Sequence, residues 1–289
     1  NRQGRDWFMN QEEMPAYTHS FLLTALVSPN YVDVTLDGIT EDDMGDAIKF
    51  NYSKFNQGYQ WRTPTENNKA SYSEGLKTDN KDDKAHYVYG EREMWHLYSI
   101  ESKNMVARFY VKNDRMDSKQ VLGQSGGLDN TWGMQRLDKI CLYSKGDLMK
   151  LGDKAKPIKT VKFFQSYKLC RNMNGTGSTI GTNGKLTLDS VWISYNGTGK
   201  KAKSKYVFYY PADKNPDYEY NGNDKWGNYK PADNASNNNP GGLSNADYPY
   251  SVQDKTKADK YAAAWVMNKV LLPSGGVINV DFESDDYGY

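Results

Sequence analysis

Histidine and cysteine are nearly missing from this chain: His19, His86 and His96, Cys141 and Cys170 are all it has. No two of them stand at metal-ligand spacing, and no histidine sits in the context of an activated nucleophile. Zinc chemistry and Ser–His or Cys–His catalysis therefore have no support at this level. His19 and His96 lie in or beside strand-like text, where a hydrogen-bonded structural role is expected. The two cysteines also fall in strand-like text. A disulfide and a pair of buried free thiols are both open. Net charge is missing too: 37 basic residues face 36 acidic ones. A near-neutral chain has no global field to steer it to nucleic acid, and no nucleic-acid partner is expected. The Lys200, Lys201, Lys203, Lys205 cluster lies between two strand-like runs and reads as a solvated hairpin loop.

No apolar run approaches a membrane-spanning length, and mean hydropathy is −0.87. The expectation is no membrane insertion. No signal peptide is visible. The chain starts at Asn1 without a Met and stops at Tyr289 just after a strand-like run, which reads as a segment of a larger protein. Two Gly-rich stretches, Ser125-Gly126-Gly127 and Asn174-Gly175-Thr176-Gly177, do not open a helix after a strand. They are turns rather than phosphate cradles. Polar as it is, the chain carries 23 tyrosines and 13% aromatics, enough to order a fold.

What is present is a repeated pairing of strand-like runs. Phe21–Val27 goes with Ala47–Phe55, Met94–Ile100 with Met105–Val111, and Arg136–Tyr143 with Ile158–Leu169. Lys185–Tyr195 then goes with Ser204–Tyr210, and Ala264–Leu272 with Gly276–Glu283. Ile278, Val280 and Phe282 alternate with Asn279, Asp281 and Glu283, as a half-buried strand does. Pro273-Ser274-Gly275-Gly276 supplies the turn before it. In Lys185–Tyr195 the apolar phase changes after Leu188, which requires a bulge or cover on both sides. Helix is expected only at Lys257–Ala264. The fold class is therefore all-β: antiparallel hairpins in one or two sheets with long polar loops. Residues 1–289 read as one β-rich segment, and 211–250, a long polar stretch without period, divides a hairpin region 1–210 from a terminal hairpin 251–289.

Chemistry is suggested in two places. Asp33, Thr35 and Asp37 alternate, Gly38 makes a bend, and the Ile39 carbonyl, Glu41 and Asp43 follow. Hard oxygens at this spacing around a glycine are what a calcium loop needs. The loop resembles EF-hand-like and dockerin-like repeats, although its twelfth position is Met44. The plain alternative is an acidic turn between strands. The second place is the long polar stretch, where Tyr218, Tyr220, Trp226 and Tyr229 stand among Asn and Asp. Such rings serve glycan or protein binding, or simply pin a loop to a sheet.

The strand–turn–strand units resemble those of large bacterial secreted and cell-surface proteins of the RHS/YD-repeat and toxin-complex shell class. The residues that carry the likeness are Phe21-Leu22-Leu23-Thr24, Leu137-Asp138-Lys139-Ile140, Val207-Phe208-Tyr209-Tyr210 and Leu271-Leu272-Pro273-Ser274-Gly275-Gly276. The resemblance implies an extracellular or surface address and a non-catalytic structural module, stabilised by calcium, whose partners are neighbouring segments of the same polypeptide. A carbohydrate- or protein-binding module using 211–250 is the alternative. A glycoside hydrolase-like enzyme comes third, because no carboxylate pair stands out.

Overall fold

A computed structural model describes residues 11–72, 85–173, 184–196, 204–219, 222, 228–231 and 255–284. In chain order these form β1 (Ala25–Val27), β2 (Ala47–Thr63), the short pair β3 (Ser71–Tyr72) and β4 (Ala85–His86), β5 (Val88–Glu101), β6 (Met105–Lys112), β7 (Lys119–Val121), β8 (Leu128–Gly133) and β9 (Arg136–Ser144). Helix α1 (Lys145–Leu151) follows, then β10 (Lys159–Leu169), β11 (Lys185–Tyr195), β12 (Ser204–Tyr209), helix α2 (Lys255–Ala262), β13 (Lys269–Leu271) and β14 (Val277–Asn279).

The fold is all-β, as the alternation implies. Ten strands make one sheet in the order β1-β2-β5-β6-β9-β10-β11-β12-β13-β14, which is sequence order with two small hairpins, β3–β4 and β7–β8, left out. Every neighbouring pair is antiparallel. This is an up-and-down meander without crossovers, the simplest way to lay successive hairpins side by side.

Each of the five strand pairs read from sequence is present, with shifted bounds. Phe21–Thr24 lies outside β1, and β2 runs on past Phe55 to Thr63. The phase change in β11 is a bulge: Phe164 pairs with Ser190 but Gln165 pairs with Leu188, so Asp189 is the extra residue. Helix α2 begins two residues before the expected start. Helix α1 carries too short a pattern to be seen. It begins where the Ser144 hydroxyl accepts from the Asp147 N–H at 3.4 Å.

The two cysteines are free and buried. Cys141 packs with Tyr143 and Ala155, and Tyr110 and Leu148 close over them. The β7–β8 hairpin is pegged to β2 by Arg62, which is 5% exposed. Its guanidinium donates to the carbonyls of Gln124 at 2.7 Å, Lys69 at 2.6 Å and Pro64, with the Tyr87 ring 4.3 Å away. Among the described residues no helix is long and apolar enough to cross a membrane, which bears on helices alone.

Candidate functional site

The acidic loop closes on itself. It hangs between β1 and β2, bridged at its base by Val32 and Met44. Asp33 accepts from the Leu36 N–H at 2.7 Å and from the Gly38 N–H at 3.0 Å. Asp43 accepts from the N–H groups of Val34 and Thr40 and from the Tyr31 hydroxyl, at 3.2, 2.8 and 2.8 Å. Thr35 donates to Asp37 at 2.8 Å. The Ile39 carbonyl receives the Lys49 ammonium at 3.3 Å, and Glu41 pairs with Lys145. Each of the six expected ligands thus has a partner inside the protein. Among the described residues no three His, Cys, Asp or Glu side chains gather closely enough to hold a metal ion.

These bonds shift titration. The Thr40 N–H holds the Asp43 carboxyl below the usual range, and the Thr40 hydroxyl does the same for Asp42. Desolvation and the bond to Asp43 push the Tyr31 phenol up to about 12. A cleft of about 270 Å³ opens beside the loop, lined by Tyr31, Glu41, Asp43, Lys49, Glu101 and Lys145 among others. Its charges already face each other: Lys145 lies between Glu41 and Glu101.

The aromatic stretch divides. Tyr220 and Trp226 lie outside the described residues. Tyr229 is 7% exposed and packs edge-on against Trp265 at 4.9 Å and Tyr261 at 5.2 Å. The Trp265 indole donates to the Pro216 carbonyl at 2.7 Å, and the Tyr218 N–H donates to the Arg171 carbonyl at 2.6 Å. Tyr229 is thus an anchor for the loop. His96 is partly buried, which lowers its pKa, and its ring lies tilted against that of Phe55 with centres 5.3 Å apart.

The sheet itself is the larger feature. Between its bulges the register sorts side chains onto two faces. One face presents Ile48, Phe50 and Tyr52 from β2, Ile100 from β5, and Met105, Ala107 and Phe109 from β6. It continues with Ile140 and Leu142, Val161 and Phe163, Val191, Ile193 and Tyr195, Tyr206 and Phe208, Val270 and Ile278. Lys159 also stands on this face, opposite Tyr195 with its ammonium 5.9 Å from the ring centre, and Lys54 follows Tyr52 on it.

The other face, the polar face, is mixed: it carries Lys49, Asn51, Ser99, Glu101, Arg108, Tyr110, Lys139, Thr160, Lys162, Ser190, Trp192 and Lys205 together with Val27, Ala47, Val106, Cys141, Tyr143, Phe164, Val207, Leu271 and Val277. Burial is one-sided. Ser99, Val106, Cys141, Tyr143 and Ser190, the buried residues of this region, all point to the polar face. No residue of the apolar face is buried, and Ile48, Tyr195 and Ile278 are plainly exposed. A water-soluble sheet with one covered side buries its apolar face. This one buries part of its polar face, around Cys141, Tyr143 and Ala155, leaves the rest of that face accessible at residues such as Lys49 and Lys162, and buries no residue of the apolar face.

No family model, curated protein or solved structure matches the chain significantly. The one-sided burial was legible only in part from sequence. The alternation was there, but which phase faces inward depends on where α1 and the Ala155 turn fold back, and both lie on the polar face against Tyr143.

Proposed function

We propose that this chain is a non-catalytic structural segment of the wall of a membrane β-barrel: its apolar face meets lipid and its polar face lines the interior. The apolar face, none of whose residues is buried, carries this reading. In hydrocarbon, backbone groups must be satisfied between strands, and side chains alternate apolar-out and polar-in. The meander order is that of up-and-down barrels, and β9, β10 and β11, at 9, 11 and 11 residues, have the length of membrane-crossing strands, roughly 9–11 residues. Lys159 beside Tyr195 suits the end of an apolar band, where a long cation reaches headgroups past an amphipathic ring. This reading departs from the expectation of no membrane insertion, which rested on the lack of a long apolar run; a barrel strand needs no such run, since only every second residue meets lipid.

Among the described residues β1 and β14 are each paired on one side only, and lipid does not tolerate open edges. Neighbouring strands of a larger protein close them. This keeps the structural role and the partners that the RHS/YD-like resemblance implies, and a surface address fits both. In the acidic loop Asp33 and Asp43 already accept backbone hydrogen bonds, so calcium would have to compete with those donors.

Spin labels test the reading. On a Cys141→Ser, Cys170→Ser background, labels at Ile140, Val161 and Ile193 in lipid vesicles should be accessible to oxygen and shielded from a water-soluble nickel chelate. Labels at Lys139 and Thr160 should show the reverse. Failure to partition into vesicles, or equal exposure of both sets to the chelate, sinks the proposal in favour of a second protein layer on the apolar face.

A further inference from the structure

Across the polar face one rung runs through five strands, Tyr110–Lys139–Lys162–Trp192–Lys205, each neighbour directly opposite the next. At the sheet's strand spacing it is about 19 Å long. Lys139 and Lys162 stand side by side, a like-charge pairing that disfavours the sheet. Each ammonium lies over a ring: Lys139 is 4.7 Å from Tyr110, Lys162 is 5.3 Å from Phe164, and Lys205 is 5.1 Å from Trp192. Among the described residues none of the three has a carboxylate partner, although Lys54, Lys112, Lys145 and Lys168 all do. The Trp192 indole N–H is buried without an acceptor. Apart from Tyr110, whose hydroxyl is bonded to that of Tyr143 at 3.0 Å, the rung is built of donors with no acceptor among the described residues.

We propose that this rung is a binding site for an extended, acidic stretch of polypeptide. Its length exceeds that of any single small anion and calls for a linear polyanion. The ring faces are already taken by ammoniums, so stacking of bases or sugar rings, the usual recognition of nucleic acid and glycan, has no platform. The adjoining rung on the same face supplies Arg108, Thr160 and Ser194. A guanidinium there suits the planar carboxylates of acidic side chains, and hydroxyls both give and accept the hydrogen bonds that a peptide backbone offers. The site does not depend on what covers the opposite, apolar face.

The test is calorimetric titration of the full chain with poly-L-glutamate, at about 50 mM and about 200 mM salt. Binding should be seen at the lower salt and weaken at the higher. The combined Lys139→Gln, Lys162→Gln, Lys205→Gln variant should bind about tenfold more weakly or worse with an unchanged melting temperature. A matched variant off the rung, Lys150→Gln, Lys154→Gln, Lys156→Gln, should bind as the parent does. Absence of poly-L-glutamate binding overturns the proposal. So does binding that survives the rung variant, and so does tighter binding of inorganic polyphosphate or single-stranded DNA in parallel titrations. Vesicle partitioning, measured separately, reports on the barrel reading alone.

Discussion

At the residue scale, Asp43 ties the acidic loop together by accepting hydrogen bonds. It receives two backbone N–H groups and one phenol. Those bonds favour its charged form, so its folded pKa lies below its unfolded one. Its contribution is fully present above the unfolded value of about 3.9 and is lost as pH falls through the lower folded value. Backbone amides of residues 33–44 should therefore lose hydrogen-exchange protection below about pH 4 while the central strands keep theirs. Asp43→Ala should produce the same loss at neutral pH. It should also return the Tyr31 phenol from about 12 toward its ordinary value, read as the ring-carbon chemical shift. Calcium offers a separate check. A cation would have to displace donors already in place, so neither calcium nor a chelator should move the melting temperature; a clear rise with calcium would show that the loop rearranges to bind it.

At the element scale, much of the sheet was legible and its orientation was not. Strands such as Lys185–Tyr195 announce themselves by period two and by β-branched and aromatic content. Even the bulge at Asp189 was visible as a change of phase. The pairings between hairpins, β5 onto β2 or β6 onto β9, left no local trace, because cross-strand partners are set by contacts far apart in sequence. The acidic loop was read from spacing alone, which cannot tell a carboxylate that awaits a cation from one that accepts from Leu36 and Gly38 as Asp33 does. Tyr229 stood out for the same reason as any binding aromatic, and only its burial against Trp265 shows it to be an anchor.

Orientation makes its own prediction along β10. Lysine at Val161 or Phe163 should destabilise the sheet refolded in lipid by about 2–4 kcal/mol, the cost at the middle of a bilayer. Lysine at Thr160 should cost little, because Lys162 already stands on that face. The cost should alternate with period two in lipid-based unfolding titrations. A flat profile would remove the distinction between the faces.

At the scale of the whole molecule two surfaces ask for cover, and they can be masked one at a time. The apolar face is hidden by detergent. The β14 edge is not, because detergent supplies no hydrogen-bonding ladder. That edge is poorly defended: Val277–Asn279 has no Pro, no charge and no bulge. Its hydrogen bonding has a direction. Leu272 donates to the Gly276 carbonyl at 2.8 Å and Val280 donates to the Asn268 carbonyl at 2.9 Å, so the even-numbered residues serve β13. Val277 and Asn279 then turn their N–H groups outward. Proline at 279 should block pairing at the edge and leave the β13–β14 hairpin intact. In water the chain should self-associate through both surfaces, and Ile140→Glu with Phe163→Glu should reduce that association. In detergent the same pair should have no such effect, whereas Asn279→Pro should shift the chain from oligomer to monomer by light scattering. If Asn279→Pro leaves the mass in detergent unchanged, β14 is not the edge through which the sheet continues, and closure must be sought at β1.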